Sequence, residues 1–107
     1  MKDVIHIDSS AAHWQTFSDG VEMLALRSEP GANRVLLRLA PGTGYPVHHH
    51  EVVEEVFVLE GTYEDLDGHY GPGAYLRYPP GSSHAARSTT GCTFLVINAK
   101  VPKPAAS

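Results

Sequence analysis

The sequence predicts an all-β fold, a sandwich or barrel of short strands. Runs rich in Val, Leu, Phe and Tyr recur at near-regular spacing along 107 residues. The ten glycines and eight prolines fall between them as punctuation, at Pro30-Gly31, Pro41-Gly42, Gly71-Pro72-Gly73 and Pro79-Pro80-Gly81, which is the pattern of strands divided by turns. No window of helical length carries a clean 3.6-residue apolar period.

Taken in order, Ser9 to Gln15 has the composition for one helical turn ahead of the first strand. The apolar runs VEMLALR (21–27), RVLLRLA (34–40), VFVLEGTYEDL (56–66), AYLRY (74–78) and CTFLVINA (92–99) are the expected strands. Gly42, Gly61, Gly73 and Gly81 stand where the chain must reverse, and a residue without Cβ tolerates the positive φ that tight turns need. One domain is expected over 1–107, with a core barrel at about 21–100 and a frayed tail, Val101 to Ser107, that carries no chemistry. Trp14, Phe57, Tyr75 and Tyr78 are expected in the core or a pocket wall, Cys92 as a small buried hydrophobe, and Arg38, Arg77 and Arg87 on a solvated face.

Bulk properties narrow the function. A formal net charge of -4 and a pI near 5.9 disfavour nucleic acid and anionic membrane surfaces, both of which call for a basic face. The single cysteine excludes an intrachain disulfide. The opening MKDVIHIDSSAAHW lacks the apolar core of a signal peptide, and no stretch approaches the roughly 20 apolar residues of a membrane span. A cytoplasmic protein is expected.

The chemistry is concentrated in PVHHHEVVEEVF (46–57), which holds three histidines and three glutamates within eight residues. Alternate side chains of a strand share a face, so His48 and His50 point together and His49 points away. Glu54 and Glu55 follow where the next strand begins, and only one of them can face inward. A further candidate, His84, comes after the turn Pro79-Pro80-Gly81-Ser82-Ser83. Three imidazoles and one carboxylate form a mixed N/O set suited to Zn, Fe, Ni or Mn. On an octahedral ion four such donors leave two positions open, whereas a tetrahedral zinc would be closed. His6, His13 and His69, with His49, are expected at the surface without a role.

These residues meet both motifs of the cupin superfamily, which the chain resembles. The first, G-x5-H-x-H-x3-4-E-x6-G, is met by Gly42, His48, His50, Glu54 and Gly61; the spacing to Gly61 selects Glu54, although the looser count also admits Glu55. The second, G-x5-P-x-G-x2-H-x3-N, is met by Gly73, Pro79, Gly81 and His84, with Ser88 in place of the final Asn. Within the superfamily, EEVFVLEG and YPPGSSHAARSTTGCTFLV look like the ChrR-like cupins, named after an anti-sigma factor whose C-terminal cupin binds zinc. The likeness runs from about Val35 to Val96. It implies a double-stranded β-helix of jelly-roll type and a divalent metal ion (Fe, Zn, Mn or Ni) held by His48, His50, Glu54 and His84.

The resemblance implies two kinds of function. One is a metal-dependent dioxygenase acting on a small dicarbonyl or phenolic compound, although the diketone-cleaving iron dioxygenases use three histidines without the glutamate. The other is a zinc-binding sensor module, although this sequence has neither the length nor the Cys/His motif expected of the anti-sigma factors' helical sigma-binding domain. A homodimer paired through outer strands is also implied.

Overall fold

In the computed structural model, residues 3–29 and 33–98 are described. Among them ten strands and no helix are found: β1 (Gln15–Ser18), β2 (Val21–Arg27), β3 (Arg34–Leu39), β4 (Thr43–His49), β5 (Glu54–Gly61), β6 (Tyr63–Glu64), β7 (His69–Tyr70), β8 (Tyr75–Tyr78), β9 (Ser83–Ser88) and β10 (Cys92–Ile97). They form two antiparallel sheets, one ordered β1-β2-β3-β10-β5-β8 and the other β4-β9-β6-β7. Together these make the expected jelly roll. Among the described residues no helix is long and apolar enough to cross a membrane.

Strand alternation builds the core. In β10, Cys92, Phe94 and Val96 are buried while Thr93, Leu95 and Ile97 are half-buried. The inward rows of β3 (Val35, Leu37, Leu39) and β5 (Val56, Val58) meet them, and Tyr63 and Ala86 close the cluster from the opposite sheet. Packing such β-branched and aromatic residues on facing pleats is the main stabilising term, at about 1.5–3 kcal/mol for each large side chain removed from water.

The same alternation places chemistry at one end of this core. Glu54, Val56 and Val58 share a face of β5, and His84, Ala86 and Ser88 share a face of β9. Glu54 and His84 are therefore the polar ends of two otherwise core-facing rows. Opposite them β4 carries Pro46, which has no N–H for a ladder. The β4–β9 register shifts between Tyr45 and His48, an irregularity that accommodates a proline within a strand.

Several expectations change. Only Ala11 and Ala12 close a turn, both donating to the Asp8 carbonyl at 3.0 and 2.9 Å, and Gln15 already belongs to β1. VFVLEGTYEDL is two strands in two sheets, because Gly61 at φ 73° ends β5 and the chain crosses over to β6. Phe57 and Tyr75 are 40% and 56% exposed, hence outside the core, Phe57 with a parity opposite to that of Val56 and Val58; Tyr75 does line the wall of a groove, as expected. Trp14 lies outside as well, with the Arg38 guanidinium 3.9 Å from its ring centre. Pro30-Gly31, the end of the expected barrel beyond Asn98 and the tail Val101 to Ser107 lie outside the described residues.

Candidate metal centre

Three local devices assemble the centre. Antiparallel pairing sets His48 of β4 directly opposite His84 of β9. Just past β4, the backbone of His50 donates to the Ser82 carbonyl and accepts from Gly81 N–H, both at 2.8 Å. This pair of bonds ties His50 to the turn that delivers His84. Gly81 makes the turn at φ 86°, a left-handed conformation costly for a residue with Cβ.

The structure brings His48, His50, Glu54 and His84 together, with one donor atom from each within 4.8 Å of the others. The three imidazole rings form a triangle with centroids 4.6 Å apart on every side. His50, Glu54 and His84 are each 3% exposed, whereas His48 is half-buried. His49 is exposed beside Ser83. Glu55 turns outward to accept a hydrogen bond from the Tyr75 hydroxyl, so the carboxylate that faces the imidazoles is that of Glu54.

The atoms turned to one another suit a cation. Glu54 Oε1 lies 2.9 Å from His84 Nε2, and Oε2 lies 3.3 Å from His50 Nδ1. His48 Nδ1 lies 3.3 Å from the Pro46 carbonyl; a carbonyl only accepts, so that nitrogen carries the proton and Nε2 keeps its lone pair. His50 Nε2 is buried without a hydrogen-bond partner, an arrangement proteins normally avoid unless something else meets the atom. Burial, the largest influence, holds the His50 imidazole below its ordinary pKa, with Glu54 opposing and His84 and His48 adding to the shift. The neutral, ligating form is thus favoured near pH 7.

A fit test follows from bond lengths. Nitrogen and oxygen donors about 2.0–2.2 Å from one ion stand at most about 4.4 Å apart. Donor atoms already within 4.8 Å of one another need only small side-chain shifts to meet an ion. The set therefore fits a divalent metal of the imidazole and carboxylate class.

Residues not read as ligands in the sequence surround the cluster, Tyr78 among them as the expected pocket wall. Tyr78 stacks on His84 with centroids 3.8 Å apart. Tyr63, fully buried, places its hydroxyl 3.3 Å from His84 Nδ1 and 3.0 Å from the Tyr78 hydroxyl. Tyr78 donates in turn to Asp65 Oδ2 at 2.8 Å. Burial pushes both phenols well above their ordinary range, so they remain protonated. A groove of about 510 Å³, lined by Asp65, Tyr70, Tyr78 and His84 among others, reaches this chain from outside. Ser88 donates to the Thr62 carbonyl, fastening β9 to the approach to β6. Cys92 is buried as expected, its thiol raised by that burial to about 11.

Comparison with known proteins agrees with this architecture. The family model described as the ChrR cupin-like domain matches residues 2–102. No curated protein is a significant match. Among solved structures, ChrR from Rhodobacter sphaeroides, crystallised as an anti-sigma factor in complex with SigE, superposes with a TM-score of 0.74 at 24% identity. That alignment covers 82% of this chain but 49% of the other, so this chain spans about half its length. An RmlC-like cupin from Shewanella frigidimarina superposes with a TM-score of 0.78 at 19% identity, covering 94% and 96% of the two chains. A predicted oxalate decarboxylase from Thermotoga maritima gives a TM-score of 0.76 at 25% identity, covering 87% and 96%. With nearly its whole length matched by the family model and its β-sheets superposing on those of cupins, the chain belongs to the ChrR cupin-like domain family.

Proposed function

We propose that this chain is a metal-dependent enzyme of dioxygenase type that acts on a small dicarbonyl or phenolic compound, with His48, His50, Glu54 and His84 holding one divalent ion of Fe, Zn, Mn or Ni. The observation that carries the proposal is uneven burial. Three donors are 3% exposed while His48 is half-buried, so the cluster is most open at His48, and a groove also borders it at His84. A purely structural ion has no need of an open side.

On the His48 side the Tyr45 ring lies 5.5 Å from His48, tilted by 42°, and Phe17 meets Tyr45 edge-on at 6.1 Å, aromatic neighbours that suit a small phenolic or dicarbonyl substrate. When bound, the ion would supply Lewis acidity toward substrate oxygens and, as Fe, Mn or Ni, one-electron chemistry toward O2, which redox-inert zinc would not. Glu54, the one carboxylate within the cluster, would serve as the base for an acidic substrate proton on detaching from the ion. The test is O2 consumption by iron-loaded protein over a panel of diketones and phenols. Uptake dependent on one of these compounds is expected; no turnover on the panel with any of the four metals would sink the proposal.

The match to a family named for a regulator favours a second reading, a zinc-binding sensor module. Slow exchange of zinc, with no coordination position open to an added ligand such as azide, is the result it expects. We further propose a cytoplasmic location, in keeping with one buried, unpaired cysteine, and pairing with a second copy of the chain.

A further inference from the structure

The hydrogen bonds leading away from His84 have a fixed direction. Asp65 Oδ1 accepts from the N–H groups of Asp67 and Gly68, both at 2.9 Å, and from the Tyr70 hydroxyl at 3.3 Å. Three donors on one oxygen mark an ionised carboxylate, which only accepts. Tyr78 must then spend its single hydroxyl proton on Asp65 Oδ2 at 2.8 Å. With that proton committed, the 3.0 Å contact between the two phenols is a bond from Tyr63 to Tyr78. Tyr63 has no other proton, so at 3.3 Å from His84 Nδ1 it can only accept.

We infer that Asp65, acting through Tyr78 and Tyr63, keeps a ring proton of His84 on Nδ1, so that an ion entering between Nε2 and Glu54 Oε1, 2.9 Å apart, meets the lone pair of Nε2 once any proton shared with Glu54 has left. The three are positioning residues. The inference rests on His84 being a metal ligand, as proposed above. Tyr78 also fixes the plane of the ring, since the two rings lie 11° from parallel at 3.8 Å. Hydrogen bonds of this kind to ligating imidazoles typically govern about 10- to 100-fold in metal affinity.

Asp65→Asn reverses the chain. Two backbone N–H groups hold the side-chain oxygen at the Oδ1 position, which leaves the amide NH2 facing Tyr78. Tyr78 then donates to Tyr63, Tyr63 donates to His84 Nδ1, and the ring proton is driven onto Nε2, where Glu54 Oε1 accepts it at 2.9 Å. An ion and a proton then compete for the same nitrogen. Tyr63→Phe cuts the chain, and a reversal beyond the cut no longer reaches His84.

Two measurements test this on the full chain. One is zinc affinity by chelator competition for the wild type, D65N, Y63F and the double variant. The other is 15N NMR of the His84 ring in the zinc-free wild type and D65N. The inference expects an Nδ1-bound proton in the wild type and an Nε2-bound proton alone in D65N. Zinc affinity should fall by about 10- to 100-fold in D65N and in Y63F, and adding D65N to Y63F should cost nothing more. A wild-type ring without a proton on Nδ1, an unchanged ring in D65N, or equal losses from D65N in both backgrounds would overturn it. Weak zinc binding by the wild type that His84→Ala does not weaken would instead count against the metal centre, while the NMR still decides the direction of the chain. Should Y63F not fold, Tyr78→Phe interrupts the same chain and takes its place.

Discussion

At the residue scale, strand parity made most of the centre legible before any coordinates. His48 and His50 converge and His49 departs because the side-chain period of a strand is two. Glu54 lies inward for the same reason that Val56 and Val58 do. The sequence was silent on Tyr63 and Asp65, since what brings a phenol 21 residues upstream against His84 is the passage of the chain between sheets after Gly61. The Glu54/Glu55 distinction yields a sharp prediction. Ion binding to the native state alone stabilises it by about 2.7 kcal/mol at one hundred times Kd, worth roughly 10–20 °C in Tm for a domain of this size. Wild type and Glu55→Gln should show that rise in thermal melts with added Mn or Zn, whereas Glu54→Gln should show little of it at the same metal concentration. Equal rises in all three would remove Glu54 from the ligand set.

At the scale of elements, punctuation by glycine and proline located most strands, but strands that lack apolar runs escaped notice. All four residues of β1, QTFS, are exposed, β7 has two residues, too short for any periodicity, and β6, also of two residues, merges in sequence with the run of β5. The turns carry their own energetic test. Gly42 and Gly61 both have positive φ, 79° and 73°. A Cβ at Gly42 would meet nothing within 4 Å, whereas at Gly61 it would lie 2.0 Å from the Gly91 carbonyl oxygen. Gly42→Ala should therefore cost only the left-handed backbone term, about 1–2 kcal/mol. Gly61→Ala should cost clearly more, because β5 must separate from the Gly91–Cys92 backbone that it meets in register. Urea midpoints of the two variants read the difference; equal midpoints would mean that the crossover to β6 is slack.

At the scale of the whole molecule, register carries an apolar row across the outer face of the larger sheet. Leu24 pairs with Leu36, Leu36 with Leu95, Leu95 with Phe57 and Phe57 with Tyr75. Leu24 and Leu36 are each 8% exposed, but Phe57, Leu59 and Tyr75 are exposed to 40%, 42% and 56%. Beside this uncovered end, Glu55 of β5 stands opposite Arg77 of β8, so one patch offers both an acid and a base. Contiguous apolar surface rimmed by charge marks an interaction site, and a patch holding both charge signs can complement itself about a two-fold axis, Glu55 of one copy meeting Arg77 of the other. The expectation of Phe57 and Tyr75 in the core or a pocket wall did not reveal this, because aromatic character alone does not tell the inner face of a strand from a face that a second chain would cover. We therefore expect a homodimer, its mass measured by light scattering at twice that of the chain. Phe57→Glu should shift it to monomer without loss of bound metal, since Phe57 lies on the face opposite Glu54. A monomeric wild type at high micromolar concentration, or a dimer indifferent to Phe57→Glu, would place the interface elsewhere or remove it.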